Sequence, residues 1–155
     1  MFKYFTSFIL FLFLYHNFAL GLENKILLKI DREIITTVDI ANEIGYLQAL
    51  NKNINNLDQN TLISIAKNNL IKDKIKQIEL LKNLNKLEIK RDHLKFLIKN
   101  IYLKIGLANL EEFKIYLKNN GLKIEMVEEK ILIDANWKIF IYVRYKNQIK
   151  IDKKK

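Results

Sequence analysis

The stretch KIDREIITTVDI, residues 29–40, decides how the fold begins, because it leads from a β-hairpin into a helix. β-Branched and aliphatic residues stand on both sides of a polar pair, Asp31-Arg32. A polar tight turn between two such runs is typical of a hairpin. The sequence therefore predicts a small β-hairpin over residues 26–36.

The same stretch also contains a helix start. Thr36 and Asp39 approximate the spacing of a capping box, in which each side chain accepts a hydrogen bond from the other's backbone. We expect Thr36 or Thr37 to cap a helix that ends near Leu50. Its inward side is predicted by three apolar residues at helical spacing: Ile40, Ile44 and Leu47.

Four further helices are predicted from apolar periodicity and from polar or glycine residues at their ends. They span about residues 61–84, 91–105, 110–118 and 124–146, after an Asn-rich loop over 51–60. We expect Asn109 to cap the helix over 110–118. Asn85, Gly106 and Gly121 are expected to end the helices over 61–84, 91–105 and 110–118, respectively. The fold class is therefore mainly α, with one small N-terminal β-hairpin followed by about five helices.

The helix over 61–84 has apolar residues on two sides, which predicts a central position between neighbours. One side carries Leu62, Ala66, Leu70 and Leu84, and the other carries Ile71, Ile75 and Ile78.

Residues 1–21 have the layout of a secretory signal peptide. Lys3 precedes an apolar run, and Ala19 and Gly21 give a small-x-small cleavage pattern. The apolar run is shorter than the roughly 20 residues of a membrane span, so we expect cleavage and no stable span afterwards, with an uncleaved anchor as the alternative. The mature chain is then expected in a periplasm, with one domain over 22–150 and a basic tail over 151–155.

The chain has 27 Lys and Arg against 17 Asp and Glu, a formal net charge of +10, which raises nucleic acid or an anionic membrane as a partner. The sequence favours neither, because its richness in Lys, Ile and Asn is typical of compositional bias rather than of a binding surface. We expect no nucleic-acid partner, because only three of these cations are arginines, the residue that phosphate recognition favours. The chain also has no cysteine, so disulfides and lipid attachment at cysteine are excluded.

Several motifs in order resemble the N-terminal domain of SurA-type periplasmic chaperones and foldases. The matching segments are Lys29–Ile40, then Leu70-Ile71 with Ile75, a turn over Asn85–Ile89 with Asn in place of Gly, and Leu110–Phe113 followed by Leu117 and Gly121. The resemblance implies binding of unfolded outer-membrane proteins. In that family a parvulin-type prolyl isomerase domain follows, whereas this sequence stops at KIDKKK, so we expect no isomerase activity.

Few residues in the sequence suit catalysis. After signal removal, His93 and Ser64 are the only histidine and serine, and neither has partners at a readable spacing. We therefore expect no catalytic residues, no metal site and no cofactor.

The last helix has two apolar stripes. Ile124, Val127, Ile131, Ala135 and Tyr142 form the stripe expected to face the core. The second stripe is the candidate site for binding clients, that is, unfolded proteins. Its residues are Met126, Ile133, Trp137 and Phe140. Three alternatives stay open for it: interior packing against the hairpin or the long helix, exposure as a groove for unfolded chains, and self-association.

The resemblance, together with the second stripe, thus implies an ATP-independent periplasmic chaperone domain that holds unfolded envelope or outer-membrane proteins through exposed apolar surface. One alternative is a structural or assembly subunit that dimerises, giving a homo-oligomer, or docks on a separate isomerase or envelope partner. Another is a remnant of a longer isomerase.

Overall fold

The computed structural model describes residues 24–148, which form a two-stranded hairpin followed by five α-helices. This confirms the predicted fold class. Strands β1 (Ile26–Ile30) and β2 (Glu33–Thr36) are antiparallel. The helices are α1 (Thr37–Leu50), α2 (Gln59–Asn83), α3 (Arg91–Lys104), α4 (Leu110–Asn119) and α5 (Ile124–Tyr145). The expected signal peptide at 1–21 and basic tail at 151–155 lie outside the described residues.

The hairpin leads directly into α1, as the opening stretch predicts. Asp31 lies in its turn with φ of 55°, a left-handed conformation that aspartate tolerates better than most residues. The Thr36 hydroxyl accepts from the Asp39 N–H at 3.2 Å, and the Asp39 carboxylate accepts from the Thr36 N–H at 2.7 Å. This confirms the capping box.

The helix ends are partly as predicted. Gly106 and Gly121 have φ of 88° and 70° and end α3 and α4, as expected for glycine after a helix. The left-handed stop predicted at Asn85 is wrong, because α2 ends at Asn83 and the next residue, Leu84, is extended with φ of −126°.

The start of α2 also differs from the prediction. Asp58 caps it by accepting from the Thr61 N–H at 3.0 Å, so the helix begins at Gln59 rather than near Thr61. A short 3-10 turn, Lys52–Ile54, occupies part of the predicted loop.

The core has two clusters. The hairpin, α1 and α2 surround the first, whose buried members are Ile35, Ile40 and Ala66. The end of α1 together with α3, α4 and α5 surrounds the second, whose buried members are Ala49, Ile98, Phe113, Leu117, Leu122, Val127 and Ile131. Because α5 packs on both α2 and α3, it connects the two clusters.

Helix α2 buries one side fully and the other only in part, since Ile71 packs partly buried against the first core cluster. Its buried residues are Leu62, Ala66 and Leu80, whereas Ile75 is 49% exposed. The expected second inward side is therefore wrong at Ile75, because no described element covers that part of the helix.

Candidate functional site

One apolar side of α5 is buried in the first half of the helix, whereas apolar residues on and beside that side are exposed in the second half. Val127 and Ile131 are buried in the second core cluster. Two to three turns after Ile131, Ile139, Tyr142 and Val143 are 62%, 68% and 58% exposed. We call these three residues the distal face. The prediction that Tyr142 belongs to the core side is wrong, because the described elements do not cover α5 that far along.

The distal face continues into a groove between α3 and α5. The groove has a volume of about 590 Å³, and its apolar lining includes Leu97 and Ile101 from α3 and Ala135 and Ile139 from α5. Its charged lining is Lys104, Lys130, Lys138 and Asp134. Since Ile139 belongs to both, the groove and the distal face form one continuous apolar surface.

Two of the predicted client-binding residues lie inside the fold. Ile133 is 5% exposed, and Met126 is partly buried against the second core cluster. Both line a cavity of about 180 Å³ together with Ile35 of the hairpin and Leu70 of α2. For these two residues, the structure favours the interior alternative that the sequence left open.

The other two predicted residues, Trp137 and Phe140, are half-buried and adjacent. Their ring centroids lie 5.8 Å apart. The Arg144 guanidinium lies 5.5 Å from the Phe140 centroid, and its Nη1 lies 3.4 Å from the Glu79 Oε1 of α2. Through Arg144, the Phe140 ring is therefore directed toward α2. Trp137 lies well round the helix from Ile139 and Tyr142, whereas Phe140 is a neighbour of Val143 at the edge of the distal face.

A partly buried ionic network joins three helices through one cation. The Lys130 Nζ of α5 lies 2.8 Å from the Glu43 Oε2 of α1 and 2.7 Å from the Asp73 Oδ2 of α2. It also lies 4.9 Å from the centroid of the Tyr46 ring, a cation–π distance. The Glu43 side chain is only 3% exposed, so this carboxylate depends on Lys130 for its counter-charge.

The surroundings change the pKa values of the network. Burial raises the pKa of Glu43 above its ordinary range, against the lowering effect of Lys130. Burial likewise raises the pKa of Tyr46 to about 12. Burial alone would lower the pKa of Lys130, but hydrogen bonds to the Asp73 and Glu43 carboxylates raise it instead. Lys130 is therefore charged at neutral pH.

Sequence reasoning missed both this network and the distal face. The signal for the network was Glu43, which stands at i+3 from Ile40 and i−4 from Leu47, on the apolar side of α1. A carboxylate on a core-facing stripe needs a buried partner. Its partner Lys130 is one of many lysines, and the sequence does not distinguish it from the others.

The ionic network has the arrangement of a structural contact between helices. Within residues 24–148, every buried side-chain nitrogen or oxygen has a hydrogen-bond partner. The described part of the chain also contains no group of three or more His, Asp or Glu residues placed to hold a metal ion. His93 and Ser64 are both exposed, and the centroid of the His93 ring lies 6.4 Å from that of Phe96.

Among the described helices, none is both long enough and apolar enough to cross a membrane. Comparison of the chain with protein-family models, curated proteins and solved structures found no match.

Proposed function

We propose that this protein is an ATP-independent chaperone that holds unfolded envelope or outer-membrane proteins in a periplasm. The binding site is the distal face and the adjoining groove between α3 and α5. The observation that carries the proposal is the exposure of Ile139, Tyr142 and Val143, three large apolar residues on one side of a folded helix. Contiguous exposed apolar surface of this kind marks interaction sites.

The mechanism is reversible burial of apolar area. An unfolded segment that covers the distal face removes apolar surface from water on both partners, at roughly 25 cal/mol for each Å². Ile139 and Val143 supply dispersion contacts, and the Tyr142 ring can stack on client aromatics. No step consumes an energy source, and release follows when the client buries the same segment in its own fold.

The surrounding charge supports this role. Lys104 and Lys138 line the groove, and the net charge of +10 opposes self-aggregation of a protein that exposes apolar residues. Export to a periplasm rests on the signal-like pattern of residues 1–21, and it places the protein with envelope clients.

Light scattering tests the proposal. An unfolded outer-membrane β-barrel protein is diluted into residues 22–155, the form expected after signal cleavage, without nucleotide. We expect suppressed aggregation at near-stoichiometric ratios, and loss of most of that suppression in the double variant Ile139→Ser with Val143→Ser. A folded, helical wild-type sample that suppresses nothing would overturn the proposal.

A matched control separates the distal face from exposed apolar surface in general. Ile75 and Leu81 of α2 are 49% and 53% exposed, close to the exposure of the distal residues. The double variant Ile75→Ser with Leu81→Ser should hold clients as well as the wild type. Equal loss in both double variants would show that no defined site exists. A third variant, Trp137→Ala with Phe140→Ala, tests the aromatic pair predicted from the sequence.

Self-association is the second candidate, favoured by the same distal face, which a second copy of the chain would also cover. Sedimentation equilibrium distinguishes it from client binding. A dimer that Ile139→Ser with Val143→Ser converts to a monomer, in a protein that holds no client, would replace the chaperone with an assembly subunit.

A further inference from the structure

The outward face of α3 combines exposed apolar residues with lysines. Phe96 and Leu103 are 56% and 49% exposed, although both are large apolar side chains. Lys99 lies between them at i+3 from Phe96, and Lys95 precedes Phe96, so the four residues share one side of the helix. All four are exposed, and none of them lines the groove that adjoins the distal face of α5.

Positive charge is concentrated on this helix. Over its 14 residues α3 has four cations and one carboxylate, Asp92, a net charge of 4 − 1 = +3. Over 22 residues α5 has three cations and four carboxylates, a net charge of 3 − 4 = −1. Helix α2 has the same net charge as α3, 5 − 2 = +3, but over 25 residues, so the positive charge is denser on α3 than on either of the two longer helices.

The lysines of the α3 face are not engaged within the fold. Among residues 24–148, neither Lys95 nor Lys99 forms an ion pair, whereas Lys74 and Lys76 of α2 bind Glu33 and Asp134. The α3 lysines are thus available to a negatively charged partner without first breaking an internal contact.

An apolar groove opens beside the α3 face. It has a volume of about 610 Å³, lies between α3, α4 and α5, and has Phe96 and Leu110 in its lining. Its cations are Arg91, Lys95, Lys99 and Lys114, and its carboxylates are Asp92 and Glu128. The apolar surface is therefore bordered mainly by positive charge.

We propose that the outward face of α3 docks this protein on the surface of an anionic phospholipid bilayer. Phe96 and Leu103 enter the boundary between headgroups and acyl chains, and Lys95 and Lys99 contact lipid phosphates. Lysines near an anionic surface are attracted to it, and their long stems let the ammonium groups reach the phosphates while neighbouring apolar side chains enter the interface. A fluid bilayer can accommodate side chains that stand out from a convex helix, whereas an acidic protein partner would need a matching cleft.

Vesicle sedimentation tests the proposal with residues 22–155, which contain the whole described fold. Residues 1–21 are omitted because their apolar run would itself bind lipid. We expect binding to phosphatidylglycerol-containing vesicles, little binding to pure phosphatidylcholine, and weaker binding at high salt, since salt screens exposed charges. Equal binding to both kinds of vesicle, or to neither, would overturn the proposal.

Paired variants locate the contact. Each lysine near an anionic membrane surface adds to the free energy of binding. The double variant Lys95→Gln with Lys99→Gln should therefore weaken vesicle binding about 30-fold. The control, Lys67→Gln with Lys82→Gln, removes the same charge from exposed positions on α2 and should leave binding unchanged. Equal weakening in both pairs would show a nonspecific charge effect and overturn the assignment to α3.

Two additional variants test insertion and the choice of partner. Phe96→Ser should weaken vesicle binding while circular dichroism shows unchanged helix content, and unaltered binding would refute insertion. Lys95→Gln with Lys99→Gln should still suppress client aggregation, because the distal face is untouched. A different outcome would identify another partner. If the wild type binds no vesicles but binds an acidic polymer such as heparin, and Lys95→Gln with Lys99→Gln abolishes that binding, the partner is a soluble polyanion and the bilayer proposal is overturned.

Discussion

The two halves of α5 have the same apolar pattern but different surroundings. In the first half, Val127 and Ile131 are buried in the second core cluster, and Lys130 is held by carboxylates of α1 and α2. In the second half, the distal face is exposed, and one surface ion pair connects the helix to α2. Helical periodicity thus identifies a side of a helix, but neighbouring elements decide how much of that side is buried.

The difference has an energetic consequence. The first half combines a buried apolar face with a cation shared by two carboxylates, so its position relative to α1 and α2 is narrowly determined. The second half begins beside the buried Asn136, which donates to the Glu88 carbonyl, but beyond this residue its ion pair lies at the surface, where such pairs contribute little. We expect local opening of α5 to begin at its C-terminal end, where the proposed client site lies.

Removal of the shared cation should give the largest effect on stability. Lys130→Met leaves Glu43 buried without a counter-charge, and such loss of one partner costs about 3–5 kcal/mol. Urea unfolding at neutral pH measures the change in the free energy of unfolding. The control Lys138→Met removes an exposed lysine from the same helix and should change stability little. Similar losses in the two variants would mean that the network contributes nothing specific.

The same truncation in the two halves tests the comparison directly. Ile131→Ala removes buried methyl groups and should lower the free energy of unfolding by about 2–3 kcal/mol. Ile139→Ala, eight residues later on the same side, should change it by less than about 0.5 kcal/mol, because Ile139 is 62% exposed. Equal costs at both positions would indicate that the distal face is covered in solution.

The pH dependence of the free energy of unfolding should reveal the raised pKa of Glu43 in the ionic network. Because burial raises the pKa of Glu43, the folded state holds this proton more tightly than the unfolded state. The contribution of Glu43 is therefore fully present below the ordinary carboxyl pKa and is lost as pH rises through the raised value. Relative to Glu43→Gln, the wild type should lose stability over that window.

Urea unfolding at a series of pH values follows this loss. Glu129→Gln, at an exposed position of α5, is the control whose curve should run parallel to that of the wild type. If the Glu43→Gln curve also runs parallel, Glu43 has the same pKa in the folded and unfolded states, and burial does not raise it.

Local signals predicted most of the fold. The capping box, the hairpin turn and the glycine helix ends each depend on a few adjacent residues. These residues alone determine the local conformation, so it can be predicted from the sequence. The wrong stop at Asn85 shows the limit, since asparagine tolerates the left-handed conformation but does not require it. There, the extended Leu84 ends α2 instead.

The candidate site could not be predicted to the same extent. The sequence placed Tyr142 on the correct side of α5 but could not show where coverage by other elements ends, because that depends on helix packing. It also grouped Met126 and Ile133 with Trp137 as one surface, although α2 and the hairpin cover the first two. Contacts between distant segments, such as Glu43 with Lys130, leave almost no trace in a single sequence.

The smallest expected effect concerns the surface contact of the second half. Arg144 touches the Phe140 ring and pairs with Glu79, but both charged side chains are substantially exposed, at 51% and 37%. Arg144→Met should therefore lower the free energy of global unfolding by only about 0.2–1 kcal/mol. Its local effect should be clearer, since amide hydrogen exchange over residues 137–145 should accelerate while exchange over 127–133 stays unchanged. Equal acceleration along all of α5 would mean that the helix opens as one unit, and the distinction between its halves would then hold for exposure but not for stability.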